Sequence, residues 1–196
     1  SRYAAHSVLA TGAWAKIRVP STGVYQLSES LIRQAGFTDL SKVRVYGYGG
    51  NLQNEVLRAE DLQELDDLRE VPTCTVGGKR LFFARGPVSW SSNTAARRTR
   101  NPYSDYGYYF LTQTADAPAQ VDSATFVSAF YPSADDYHSL YEADGYSWYH
   151  GGRNLFDRES TAVGSTRRVV IGNRSRSASG LLSVNISAGT VSQAQI

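Results

Sequence analysis

The chain has 196 residues, a formal net charge of +2, and 41% hydrophobic against 19% charged residues. This composition is typical of globular proteins and excludes a largely disordered chain. The net charge is too small to indicate a nucleic-acid partner, because such domains concentrate a much stronger basic field on one face. The sequence has no run of about 18 apolar residues and therefore predicts no membrane-spanning helix.

Residue usage also indicates the fold class and the compartment. Aromatic residues make up 12% of the chain and glycine occurs 17 times, which favours strands joined by tight turns. We therefore predict a mainly β fold with antiparallel sheets and a minor α element. The lone Cys74 cannot form an internal disulfide, which argues against a eukaryotic secreted module and leaves bacterial compartments open. Because the chain begins at Ser1 and lacks Met, we expect its natural start to lie elsewhere and the chain to be a processed or cloned segment.

The N-terminal residues predict a β-β-α order. Residues 14–28 read as two short strands with alternating apolar positions, separated by a turn at 20–23. A helix over about 29–35 should follow. Ser28 is the expected N-cap of this helix and Gly36 its C-terminal stop.

Further strands and hairpins complete the first predicted domain. Residues 42–48 predict a strand, and the acidic stretch 54–70 predicts a solvated loop with room for one helical turn. Residues 73–85 resemble a hairpin, because two apolar runs flank a glycine pair. A polar, Arg-rich loop is predicted at 91–101, before a final strand at 107–112.

The chain is predicted to form two domains. Residues 1–115 form an N-terminal β-rich domain, residues 116–122 have linker composition, and residues 123–196 form a second domain. This second domain has a predicted strand at 125–131 and a final strand pair. Because so few strands cannot close a sandwich, we predict part of a β-sandwich that leads toward a downstream domain. The final pair lies at 167–172 and 181–187.

Cysteine peptidases need a thiolate with a histidine in reach, so Cys74 must be weighed with the three histidines His6, His138 and His150. Cys74 lies in the middle of a predicted strand, without a helix N-terminus to lower its pKa. We interpret it as a small core residue and assign no catalytic residue to the chain.

Other polar motifs also favour structural interpretations. His150-Gly151-Gly152 lacks the preceding strand and following helix of a phosphate loop and is interpreted as a turn. The scattered histidines and Asp135-Asp136 do not have metal-ligand spacing, so we predict no metal and no cofactor. Asp66-Asp67 lies in a charge-rich stretch and is interpreted as solvated.

One segment, residues 86–109, combines aromatic and arginine side chains around two prolines. This composition is typical of recognition surfaces, because it pairs rigid contact area with directional donors. The alternative is that the aromatic rings pack the edge of the domain, and both interpretations stay open. The candidate docking surface consists of Trp90, Arg97, Arg98, Arg100, Tyr103 and Tyr106.

Several sequence segments, in order from His6 to Phe156, carry a resemblance to a known family. They are HSVLATGAWAKIRVPSTGVYQLS, SKVRVYGYGG, LFFARGPVSW, NPYSDYGYYFLT and SLYEADGYSWYHGGRNLF. Together they resemble the N-terminal region of the type IX secretion system sortases, which are gingipain-like cysteine peptidases. The family has an acidic residue in the region of 147–156, where this chain reads WYHGGRNLF.

The resemblance implies a parent cysteine peptidase and transpeptidase that is peripheral on the outer membrane at the bacterial cell surface. It implies that the parent cleaves the C-terminal secretion signal of cargo proteins and attaches the cargo to anionic lipopolysaccharide. The implied catalytic His and Cys lie downstream of residue 196. Implied partners are the downstream peptidase domain, an outer-membrane β-barrel protein and the C-terminal signal domains of cargo.

Three roles stay open for the chain itself. It is an accessory region of the sortase, a carbohydrate- or surface-binding β-module that stacks sugars on Trp90 and its tyrosines, or an inhibitory pro-segment. Bacteria with this secretion system O-glycosylate short motifs that Asp122-Ser123-Ala124 resembles.

Overall fold

The computed structural model describes residues 3–91, 97–130, 137–147, 155–159, 162, 164–172, 174, 176 and 178–186. The chain divides into two compact units, Ser1–Tyr131 and Pro132–Ile196. The described residues of the first unit form nine strands: β1 (Trp14–Val19), β2 (Gly23–Leu27), β3 (Val43–Tyr46), β4 (Glu70–Val71), β5 (Cys74–Val76), β6 (Lys79–Ala84), β7 (Val88–Ser91), β8 (Arg97–Arg100) and β9 (Gly107–Gln113). The same residues contain three α-helices: α1 (Glu29–Gln34), α2 (Ala59–Glu64) and α3 (Ser123–Phe130).

The strands form antiparallel sheets, which confirms the mainly β fold class. The first sheet has the order β1-β9-β3-β4, the second has β2-β6-β5, and β7 and β8 form a two-stranded ribbon. The predicted β-β-α-β opening is confirmed by β1, β2, α1 and β3. The predicted hairpin of β5 and β6 is confirmed as well, and Gly77 and Gly78 take φ angles of +56° and +76° at its turn.

Local sequence signals account for α1. The hydroxyl oxygen of Ser28 accepts a hydrogen bond from the backbone N–H of Leu31 at 3.1 Å, which is the predicted N-cap. The helix ends before Gly36, whose φ of +87° favours glycine. Ile32 is fully buried, so the helix packs one face against the core.

The first two sheets face each other across one apolar core. Val45 and Leu111 of the first sheet are fully buried, and Phe82 of the second is 1% exposed. The rings of Phe82 and Tyr109 meet edge to face, with centroids 5.8 Å apart, and so connect the sheets. Each such buried apolar side chain stabilises the fold by about 1.5–3 kcal/mol.

The outer face of the second sheet is covered by α3. Because α3 spans Ser123–Phe130, the strand predicted at 125–131 is wrong. The carboxylate of Asp122 accepts hydrogen bonds from the backbone N–H and the hydroxyl of Thr125, which caps the helix. Phe126 and Phe130 lie four residues apart and therefore share a helix face. Phe126 is 1% exposed, and Phe130 stacks on Phe83 with centroids 4.6 Å apart.

The segment before α3 is hydrogen bonded to the second sheet. The N–H of Thr73 donates to the carbonyl of Ala119 at 2.9 Å, and the N–H of Val121 donates to the carbonyl of Thr73 at 3.0 Å. The first compact unit reaches Tyr131, beyond the predicted linker at 116–122. The domain division at that linker stays a prediction.

Two further interpretations need correction. Asp66-Asp67 is not simply solvated, because its carboxylates accept hydrogen bonds from the N–H groups of Ala4 and Val8 at 2.6 and 2.8 Å. The predicted loop at 91–101 is wrong for its last residues, since Arg97–Arg100 form β8. This strand reads Arg-Arg-Thr-Arg, so it carries no hydrophobic alternation from which it could be predicted.

The described residues of the second unit contain one isolated bridge, between Tyr146 and Phe156. The strands predicted at 167–172 and 181–187 are absent from the described part of those ranges, which has no regular secondary structure. Val170 and Leu182 are 84% and 62% exposed, so the described part of these apolar runs is not packed in a sheet. None of the helices in the described residues is long and apolar enough to cross a membrane.

Candidate functional site: a surface of cations and aromatic rings

The predicted docking residues Trp90, Arg97, Arg98 and Arg100 lie on the ribbon of β7 and β8, here called the arginine hairpin. Trp90 lies opposite Arg98, and both are half-buried. The other two arginines are exposed, and Arg100 forms an ion pair with Asp105 at 2.7 Å. The structure therefore places these four residues together.

The base of the arginine hairpin is attached to the sandwich by hydrogen bonds. The hydroxyl of Thr22, in the turn between β1 and β2, donates to the carbonyl of Val88 at 3.1 Å. The N–H of Asn101 donates to the carbonyl of Pro87 at 2.7 Å, and its side-chain amide donates to the carbonyl of Gly50 at 3.1 Å. These bonds fix where the hairpin leaves the sandwich.

The remaining two predicted residues differ in their surroundings. Tyr103 is 86% exposed. Tyr106 is half-buried and lies against the first sheet, where the guanidinium of Arg18 is 4.5 Å from the centroid of its ring. The side chain of Tyr106 thus belongs to a second surface, which sequence reasoning missed.

That second surface, the cation–aromatic face, consists of Trp14, Lys16 and Arg18 of β1 together with Tyr106 and Tyr108. In β1 the register places Arg18 opposite Tyr108, so both point away from the core. The ammonium of Lys16 is 4.0 Å from the centroid of the Tyr108 ring. Each exposed cation–π contact of this kind contributes about 0.5–1 kcal/mol and holds the cation in place.

The cations of this face are not paired with carboxylates in the part of the chain that the structure describes. Among the described residues, neither Lys16 nor Arg18 forms an ion pair. On a strand, residues two apart are separated by roughly 6.8 Å and lie on one side, so the two cations form a short positive row. A periodic K-x-R was visible in the sequence, but its pairing with tyrosines about 90 residues away was not.

Arg44, on the same sheet, differs because it is paired. It forms an ion pair with Glu70 on β4, and the other carboxylate oxygen of Glu70 accepts a hydrogen bond from the N–H of Ala119 at 2.7 Å. Burial alone would raise the pKa of Glu70, but these hydrogen bonds and the charges of Arg44 and Arg80 lower it below its ordinary value. This cluster ties β3, β4 and the segment before α3 together, and so is structural.

A cleft of about 700 Å³ opens in the first unit. Aromatic residues from separate elements line it, and among its polar residues are Asp61 and Arg85. Mostly apolar walls with a few polar groups are typical of small-molecule sites. No local sequence pattern predicts the cleft, because its walls meet only after folding. The aromatic residues that line the cleft are Tyr48, Phe83, Tyr108, Tyr109, Phe110 and Phe130.

The residues considered for catalysis are not arranged as a site in the described part of the chain. Cys74 is 1% exposed within β5, the strand that α3 contacts. His6 is exposed, and the predicted turn at His150-Gly151-Gly152 and the pair Asp135-Asp136 lie outside the described residues. No group of three His, Cys, Asp or Glu side chains among the described residues is placed to hold a metal ion.

Comparison with known proteins relates the chain to a solved structure. No family model and no curated protein matches the chain. Among solved structures, the chain is similar to dimeric latent PorU from Porphyromonas gingivalis, with 37% sequence identity and a TM-score of 0.53. The match covers 73% of this chain but only 12% of that protein. The chain is therefore related to a region of PorU, which confirms the resemblance stated from the sequence.

Proposed function

We propose that this chain is a non-catalytic accessory region of a cell-surface sortase. The observation that supports this is its 37% identity to a region that makes up 12% of PorU. As the full protein, the sortase is a gingipain-family cysteine endopeptidase and transpeptidase whose catalytic His and Cys lie downstream of residue 196. It cleaves the C-terminal secretion signal of type IX cargo and attaches the cargo to anionic lipopolysaccharide.

In this proposal the chain supports and positions the downstream peptidase domain. The arginine hairpin is its docking surface, because Arg97 and Arg100 are exposed while the hairpin base is fixed to the sandwich. The full protein is peripheral on the outer membrane and contacts an outer-membrane β-barrel protein and the signal domains of cargo. Cell fractionation and surface proteolysis test this location.

Cys74 is not a nucleophile in this proposal. Its thiol is almost fully buried in β5, and a catalytic thiolate needs access to substrate and an activating group. The first test is a Cys74→Ser variant of the full polypeptide, for which we expect unchanged signal cleavage. Loss of cleavage in a folded variant would refute the non-catalytic assignment.

The accessory role is tested by deleting this chain from the full polypeptide and measuring cleavage of a cargo signal. We expect cleavage to fall and to recover when the purified chain is added in trans. Increased cleavage after deletion identifies an inhibitory pro-segment instead. Unchanged cleavage excludes both roles.

The cleft supports a second candidate function, a carbohydrate-binding module. Tyr48, a half-buried aromatic residue of its lining, offers a stacking surface, and Asp61 and Arg85 offer hydrogen bonds to sugar hydroxyl groups. A glycan array separates this candidate from the first: binding that is lost in Tyr48→Ala, with cleavage unchanged after deletion, supports the module. No binding at millimolar glycan excludes it.

A further inference from the structure

Strand β1 lies at one edge of the first sheet. In the order β1-β9-β3-β4, β1 is the terminal strand among the described residues. All six of its residues pair with β9 on one side. On the other side, to which its outward N–H and C=O groups point, no strand of the described residues pairs with it. Neither a bulge nor a proline interrupts Trp14–Val19.

The other edge of this sheet is already covered. Strand β4 has only two residues, Glu70 and Val71, and the Glu70 carboxylate accepts a hydrogen bond from the N–H of Ala119. The segment around Ala119 also pairs with Thr73. Of the two edges, β1 is therefore the longer and the more accessible.

The two faces of β1 determine the chemistry of a strand that could pair with it. On the outer face, Lys16 and Arg18 are held over tyrosine rings and lack acidic partners among the described residues. On the inner face, Ala15 and Ile17 are partly buried against the core. A matching strand has acidic residues two apart on one face and apolar residues between them.

A second copy of β1 does not meet these requirements. If two β1 strands paired antiparallel around Ile17, Lys16 of one copy would lie opposite Arg18 of the other. Like charges placed directly opposite across a strand pair are destabilising. The same two cations that favour an acidic strand therefore oppose self-association through this edge.

We propose that β1 is a strand-addition site for an extended segment of another polypeptide in which acidic and apolar residues alternate. The backbone of the segment continues the first sheet, its carboxylates pair with Lys16 and Arg18, and its apolar side chains extend the core beside Ile17. This inference depends on the edge of this chain and is independent of the proposed sortase role.

The test uses the intact chain and three eight-residue peptides in which Val alternates with Glu, Lys or Ser. We expect the Glu peptide alone to bind and to protect amides of β1 from hydrogen exchange. Replacing both cations (Lys16→Ser with Arg18→Ser) should weaken its binding at least about tenfold, as loss of charge complementarity does. The double charge reversal (Lys16→Glu with Arg18→Glu) should transfer binding to the Lys peptide.

The matched control is Lys79→Ser, which removes an exposed cation at the β5 and β6 turn and should leave binding unchanged. Melting temperatures identify any variant that has lost its fold. Equal binding of the Glu and Lys peptides, protection confined to other strands, or no binding would overturn the proposal. The proposal would also be overturned if the neutral variants self-associated while keeping their affinity for the Glu peptide. The cations would then only prevent self-association through the β1 edge.

Discussion

The two outer faces of the sandwich differ in the side chains that cover them. The second sheet is covered by α3, with Phe126 buried and Phe130 stacked on Phe83. The outer face of the first sheet presents Lys16 and Arg18 over tyrosine rings. The apolar cover stabilises the fold, whereas exposed cations contribute little to stability and are available for recognition.

The largest expected effect concerns the apolar cover as a whole. A chain ending at residue 115 lacks α3 and the hydrogen bonds of Ala119 and Val121 to Thr73. It should therefore be several kcal/mol less stable than a chain ending at residue 131, because a buried aromatic side chain alone contributes about 3–5 kcal/mol. Urea unfolding of both chains tests this together with the predicted boundary at 116–122. Equal stability would support that boundary.

Within α3, Phe126→Ala should lower the free energy of unfolding by about 3–5 kcal/mol, since it empties a fully enclosed site. Val127→Ala is the matched control, because Val127 is 44% exposed on the same helix. It should change the free energy of unfolding by about 0.5 kcal/mol or less. Similar losses in the two variants would mean that α3 does not pack as described.

The charge cluster at Glu70 should have a smaller effect. Glu70→Gln leaves Arg44 without its carboxylate and should cost about 1–3 kcal/mol at pH 7. Because the pKa of Glu70 is lowered in the folded state, its charge stabilises the fold above its unfolded pKa. This contribution is lost as the pH falls through the folded pKa. The difference between the wild type and Glu70→Gln should therefore shrink below about pH 4.5.

The control for the acid experiment is Glu29→Gln at the start of α1, where the carboxylate lies on the first turn of a helix. A helix-end charge of this kind contributes about 0.3–1 kcal/mol. If Glu70→Gln keeps its full loss of stability at pH 3, Glu70 does not act through its charge.

The smallest effect on stability is expected at the arginine hairpin. Replacing Arg97, Arg98 and Arg100 with Ala should change the free energy of unfolding by about 1 kcal/mol or less, because the ion pair of Arg100 with Asp105 is exposed. If the hairpin docks, the same change should weaken association with the peptidase domain by about 2 kcal/mol or more. A marked fall in melting temperature would instead make the hairpin part of the fold.

The contrast between the faces also explains what the sequence could predict. Local signals sufficed for β1, β2 and α1, because apolar alternation, Ser28 and Gly36 act within a few residues. The strand predicted at 125–131 was wrong because two phenylalanines four residues apart suit a helix face as well as a buried strand. The cation–aromatic face and the cleft depend on pairing between distant segments, which no single segment of the sequence contains.

The central claim, that one outer face stabilises and the other recognises, is tested most directly by measuring stability and binding on the same variants. The Phe126→Ala variant should be less stable, but its folded molecules should bind the peptide of alternating Glu and Val with unchanged affinity. The double substitution of Lys16 and Arg18 by Ser should keep its melting temperature and lose that affinity. If both variants lose stability and affinity together, or if neither loses affinity, the division between the two faces is contradicted.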